Sequence, residues 1–135
     1  MYDKRLLLKN MTNKSETGKI GEDLACEFLQ DRGYKIIERN FRQKWGELDI
    51  VAIGNDKTLV FIEVKTIRQN DNTANEILPE YNLTNAKLKK TQRIAQLYAG
   101  HNQNLIYENG GWRIDLVAIT LFAGQRPQIN HYENI

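Results

Sequence analysis

A single cysteine, Cys26, excludes an internal disulfide, and with only two histidines the chain lacks the Cys/His set of a structural zinc site. No apolar run approaches the length of a membrane span. Leu6-Leu7-Leu8 has neither the long apolar core nor the small-residue cleavage site of a signal peptide. The expected compartment is therefore the cytoplasm. Neither sign of charge dominates: Lys and Arg number 19 against 17 Asp and Glu, a net +2, so bulk charge alone does not argue for nucleic acid. Prolines number two, and no Pro/Gly/Ser linker or internal repeat divides the 135 residues. With 41% hydrophobic and 27% charged residues, disordered and fibrous classes are excluded. A single domain over residues 15–135 is expected, preceded by a loose polar arm over 1–14.

What is present is an alternation of helical and strand patterns. Ser15 and Thr17 are candidate N-caps for a helix to Arg32, stopped by Gly33; Ile20, Leu24 and Phe28, widened by Ala25 and Leu29, give it one apolar stripe. Strands are expected over 34–42, 47–53 and 58–66, with turns at Gln43–Gly46 and Gly54–Lys57. Residues 67–82 read as a loop, and a second helix is expected over 83–99. A short strand over 104–108, a long apolar one over 112–121 and an edge strand after Pro127 complete the pattern. The order is α-β-β-β-α-β. It predicts an α/β (α+β) fold, a mixed sheet flanked by helices with a parallel crossover between the third and fourth strands.

The hairpin Glu47–Thr66 breaks its own pattern. Alternate residues share a face of a strand. One face shows Leu48, Ile50 and Ala52 beside Val60, Ile62 and Val64, and is wholly apolar. The other is apolar near the turn and charged at the far end, where Glu47, Asp49, Glu63 and Lys65 gather. If antiparallel partners sum to 112, Asp49 faces Glu63 and Glu47 faces Lys65; a sum of 111 separates them. Two carboxylates opposed on a half-buried sheet repel, and each loses hydration. Solvated charges at a strand end are the plainer explanation for any one of these residues. The set of four carries a net −2, which a divalent cation would neutralise, and oxygen-only ligands suit Mg²⁺ or Mn²⁺.

On a helical wheel of about 100° per residue, Lys87 falls inside the stripe of Thr91, Ile94, Ala95 and Tyr98. Lys90 sits at its edge, while Lys89 and Arg93 face outward. An inward lysine needs a carboxylate, a phosphate or water for its ammonium, or must snorkel from the first turn. Glu22 lies at the margin of the first helix's stripe. Cys26 reads as a small buried hydrophobe, and His101 and His131 lie near expected loops without an obvious partner. Gly18-x-x-Gly21 signals a helix start and close packing, not a phosphate loop.

Gly46-Glu47-Leu48-Asp49 followed by Phe61-Ile62-Glu63-Val64-Lys65 resembles the Asp…Glu-x-Lys signature of the PD-(D/E)XK nuclease superfamily, which has the restriction-endonuclease-like fold. The chain is more closely similar to the YraN-like bacterial proteins, related to archaeal Holliday junction resolvases. That likeness covers about Gly18 to Ile119. It includes Gly18-x-x-Gly21-Glu22-x-x-Ala25, Gly33-Tyr34, Arg39-Asn40-Phe41-Arg42, Lys87-x-x-Lys90 and Arg113-x-Asp115-x-Val117-Ala118. The resemblance implies a metal (Mg²⁺ or Mn²⁺) held by Asp49, Glu63, the Val64 carbonyl and Glu22. It also implies that Lys65 orients the attacking water and stabilises charge on the phosphate. Glu47 is taken as a partner of Lys65. Ile67 departs from the family pattern, which often has Arg there; Arg68 follows it.

The resemblance makes a metal-dependent endonuclease acting on DNA, branched or damaged DNA included, the leading expectation. Lys87, Lys90, Arg42, Lys44 and Arg68 are then candidate phosphate contacts, which set affinity rather than sequence preference. Resolvases use two active sites, so the analogy implies a homodimer; no membrane partner is expected. A non-catalytic nucleic-acid-binding adaptor and a protein-interaction module are the competing expectations.

Overall fold

The computed structural model describes residues 14–69, 83–107 and 111–135. Its elements are α1 (Lys14–Asp31), β1 (Lys35–Gln43), β2 (Gly46–Ile53), β3 (Leu59–Gln69), α2 (Asn85–His101), a 3₁₀ turn (Gln103–Leu105), β4 (Trp112–Phe122) and β5 (Gln128–Tyr132). The five strands form one mixed sheet in the order β1-β2-β3-β4-β5. Only the β3–β4 pairing is parallel, and α2 supplies the crossover between them. The expected α-β-β-β-α-β core is present, and β5 adds the edge strand.

Sequence and structure differ at several boundaries. The first helix begins at Lys14, so Ser15 and Thr17 lie inside it rather than capping it. At α2 the N-cap is Thr84, whose hydroxyl accepts the Lys87 N–H. Residues 67–69 prolong β3, because parallel pairing with β4 continues through Gln69↔Phe122. The rest of the expected 67–82 loop from residue 70, and residues 1–13 of the expected arm, lie outside the described residues. Instead of a strand from residue 104, Gln103–Leu105 closes a 3₁₀ turn, with the Ile106 N–H returning to the Gln103 carbonyl. So local a pairing satisfies backbone groups without a neighbouring strand.

The sheet is covered on both faces. Leu24, Ala25, Cys26 and Leu29 of α1 pack on Ile50, Ala52, Val60, Ile62, Val117 and Ile119. On the other side, Ile94, Ala95 and Tyr98 of α2 pack on Val51, Leu59, Phe61 and Ile114. The period-2 alternation of β2 and β3 thus feeds two cores, one per helix. At Gly21, a side chain's Cβ would collide with the Thr66 hydroxyl, so α1 sits closer to β3 than any other residue would permit. The other end of α1 is held by the β2–β3 turn, where Asn55 Nδ2 donates to the Arg32 carbonyl at 2.6 Å.

Candidate active site

The register of the central hairpin is the one in which partners sum to 112: Ile50↔Ile62, Val51↔Phe61, Ala52↔Val60 and Ile53↔Leu59. That ladder ends at Ile50↔Ile62. Beyond it β2 stays with β1 as far as Gly46, while β3 runs on beside β4 to Gln69. The sheet therefore splits in two at Asp49 and Glu63. A split strand leaves backbone donors without ladder partners, and such groups need another acceptor. Asp49 supplies it: its Oδ2 accepts the Val64 N–H at 2.8 Å. Since a strand residue's N–H and carbonyl point to the same edge, the Val64 carbonyl also faces this gap.

Leu48 departs from the expected face. It joins the core under α2, with its β1 partner Phe41 beside that same cluster. Once β2 has left β3, the twist of the free β1–β2 ribbon turns its end toward Ile94, which also lies against Gly46.

Glu63 is only 5% exposed, and its Oε1 accepts a 3.0 Å hydrogen bond from the hydroxyl of buried Thr91. Burial, the neighbouring Asp49 charge and a hydrogen bond with Asp49 push the Glu63 carboxyl up to about 8; Thr91 and the Lys87 ammonium oppose the rise. The inward position read for Lys87 thus places its charge toward this acid. Lys65, two residues on in β3 and partly buried, belongs to the same strand face as Glu63. On α1, burial and then the Asp49 charge raise Glu22, against an Asn40 hydrogen bond and the Arg39 and Arg42 charges. Asn40 has a left-handed φ of 53° and stands across from Asp49, between the pairs Arg39↔Ile50 and Phe41↔Leu48.

Asp49 and Glu63 therefore come together, with Thr91 hydrogen-bonded to Glu63; the Lys87 charge acts on Glu63 and the Asp49 charge on Glu22. Among the described residues, no three His, Cys, Asp or Glu side chains converge on one point. The fit to a cation rests on the pair: two touching carboxyls, one of them deeply buried, make an oxygen-only, electron-rich donor set for a hard divalent ion. Glu47 is not opposite Lys65, because the ladder ends before reaching them. Its Oε2 lies 3.6 Å from Arg42 Nε, in an exposed cross-strand pair. Arg42 and Lys44 are exposed on the β1–β2 ribbon, Lys90 on α2 and Arg68 near the end of β3. Arg42 also lines an open groove of about 630 Å³ with Lys19, Glu22, Arg39 and Asn40.

Two interactions were not anticipated. The helical wheel places Thr91 only in the stripe facing the core, although a hydroxyl one turn after an inward lysine is a usable signal. A second polar cluster lies under β5. There Asp115, fully buried, accepts from Arg113 Nε (3.0 Å) and the Asn134 N–H (2.9 Å), and His131 Nε2 lies 2.8 Å from it. Arg113 also donates to the Tyr34 hydroxyl at 2.9 Å. His131, on the edge strand expected after Pro127, thus has a buried partner that the sequence did not reveal. Burial would raise the Asp115 carboxyl, but the bonds from His131, Arg113 and Asn134 outweigh it and hold it below its usual range.

A family model described as Uncharacterised protein family UPF0102 matches residues 21–119. A UPF0102 protein of Herpetosiphon aurantiacus is 40% identical over 127 residues, 91% of this chain and 95% of its own. One from Campylobacter concisus is 40% identical over 102 residues, 76% of this chain and 81% of its own. One from Renibacterium salmoninarum is 35% identical over 125 residues, 93% and 99% of the two chains. The matched span contains Glu22, Asp49, Glu63, Lys65 and Lys87.

Proposed function

The chain belongs to the uncharacterised family UPF0102, and from its site we propose that it is a metal-dependent endonuclease of the PD-(D/E)XK type, hydrolysing phosphodiester bonds in DNA, branched or damaged DNA included. The observation that carries this reading is the contact of Asp49 with buried Glu63 at the split between β2 and β3. Stability alone would favour an apolar pair there.

Asp49, Glu63 and the Val64 carbonyl would hold Mg²⁺ or Mn²⁺, with Glu22 as a further acid from α1. The ion, when bound, supplies positive charge to the phosphate's non-bridging oxygens and lowers the pKa of the attacking water. To hold the ion, Glu63 would have to be ionised, so binding would be coupled to loss of its proton. Lys65 places its ammonium where negative charge builds on the phosphoryl group and orients the water. The Lys87 charge favours the ionised form of Glu63 that an ion needs. Exposed Arg42, Lys44, Arg68 and Lys90 contact backbone phosphates and set affinity without reading sequence.

The test is cleavage of duplex, branched and single-stranded DNA with Mg²⁺ or Mn²⁺, by the wild type and by Asp49→Ala, Glu63→Ala and Lys65→Ala. Each variant should lose activity by about a hundredfold or more. Cutting without a metal, or cutting that survives all three changes, contradicts the proposal. Metal-free binding with steep salt dependence and no turnover would make the protein a nucleic-acid-binding adaptor instead.

A further inference from the structure

Among the described residues, the large exposed apolar side chains are Trp45, Leu97, Tyr107 and Tyr132. Tyr107 already has the Lys57 ammonium over its ring at 5.3 Å. Trp45 is the one on the β1–β2 ribbon, the same ribbon that carries Asp49. It occupies, with Lys44, the two-residue tip between the paired residues Gln43 and Gly46, and it is 50% exposed.

Turn chemistry does not call for a tryptophan here. Tips of this length favour Gly, Asn and Asp. Nor is Trp45 part of an apolar patch suited to a protein partner: Gln43 and Lys44 precede it, and exposed Arg42 and Glu47 form the next cross-strand pair. A projecting indole among cations is the combination that binds nucleic acid strands, in which the cations take phosphates and the ring takes a base face. Three residues of β2, Gly46 to Leu48, separate Trp45 from Asp49, four residue steps or a span of ~13 Å, which places the ring a few nucleotides from the acids. A base inside a duplex offers no free face. An unpaired one does.

We propose that Trp45 stacks on an unpaired base of a DNA strand whose phosphates pass Lys44 and Arg42 toward the Asp49–Glu63 pair, so that the protein prefers DNA containing unpaired nucleotides. This deepens the nuclease reading and rests on it for the direction of the strand. Its test is independent of turnover. The full chain, Trp45→Ala and Trp45→Phe are titrated in EDTA with fluorescein-labelled oligothymidylate and with a blunt duplex of equal length, following anisotropy and tryptophan emission. Trp45→Ala should weaken oligothymidylate binding by about tenfold and change duplex binding less than about twofold. Trp45→Phe should retain most of the affinity, and the wild type's emission should be quenched on binding. The proposal is overturned if the wild type does not bind oligothymidylate, if Trp45→Ala binds it equally well, or if both DNAs lose affinity alike. Because no divalent ion is present, an absence of nuclease activity leaves these readouts unaffected. Conversely, Trp45→Ala that cleaves DNA yet binds oligothymidylate like wild type removes this role and leaves the nuclease standing.

Discussion

The hydroxyl of Thr91 donates to Oε1 of Glu63 over 3.0 Å, tying the crossover helix to β3 where the sheet divides. The same hydroxyl lies 3.1 Å from the Lys87 carbonyl one turn back. A single proton cannot serve both acceptors fully, so the bond to Glu63 is strongest when that carboxylate is ionised.

This arrangement has a pH signature. Glu63 is held at about 8 in the folded metal-free chain, above its ordinary 4.5. The native state therefore binds a proton that the unfolded chain has released. The associated stability is complete below about pH 4.5 and is lost as pH rises toward and through 8. Urea unfolding in EDTA should show this decline between pH 5 and 8, and Glu63→Gln should flatten it. Thr91→Val should steepen the loss at the alkaline end, since it removes a donor to the charged form worth roughly 1.5–3 kcal/mol. An equal slope in wild type and Glu63→Gln would contradict the assignment.

Gly21 sets the distance between α1 and β3. Its Cβ position is filled by Thr66, whose hydroxyl is buried and without a hydrogen-bond partner among the described residues. Gly21→Ala should force the helix outward and cost about 1–3 kcal/mol, despite alanine's better helix propensity. Combining it with Thr66→Ala should recover part of that loss, because the nearest colliding atom goes and no hydrogen bond goes with it. Chemical denaturation of the two single variants and the double variant gives the coupling. Strict additivity would show that the close approach does not limit packing.

Asp115 should govern acid stability. Its carboxyl is held below its ordinary value, so its contribution is present above about pH 4 and is lost as pH falls through the lower folded value. Asp115→Ala should cost about 3–5 kcal/mol, since it removes the buried carboxylate shared by the Arg113 guanidinium, His131 and the Asn134 N–H. It should also release β5, visible as faster amide exchange at Asn134, whose N–H bonds Asp115. Unchanged exchange there would mean that the cluster does not hold the C-terminal strand.

Much of this geometry was legible in the residues. Alternation along Glu47–Thr66, with one turn at Gly54–Lys57, narrowed the pairing to two registers, and the one that brings Asp49 and Glu63 together is the one present. The wheel position of Lys87 called for a carboxylate, a phosphate or water at its ammonium, and the Glu63 carboxyl is the group its charge acts on. What stayed hidden depended on where pairing stops. Strand periodicity assumes that β2 and β3 remain neighbours, so it put Leu48 on the wrong face and Glu47 opposite Lys65. The split after Ile50↔Ile62 overrules both, and cross-strand pairing gives Glu47 to Arg42 instead. Asp115 and His131 meet only because β5 folds back on β4, a contact that no local spacing encodes. A charged pair at alternate positions of an otherwise apolar strand, Arg113 and Asp115, was the available hint.

Calorimetric titration of Mn²⁺ into the metal-free protein at pH 7, repeated in buffers of different ionisation enthalpy, asks most directly whether the acids at the split hold a cation. One ion should bind with release of a proton from Glu63, and both Asp49→Asn and Glu63→Gln should abolish the isotherm while remaining folded. An isotherm unchanged in both variants would contradict the account.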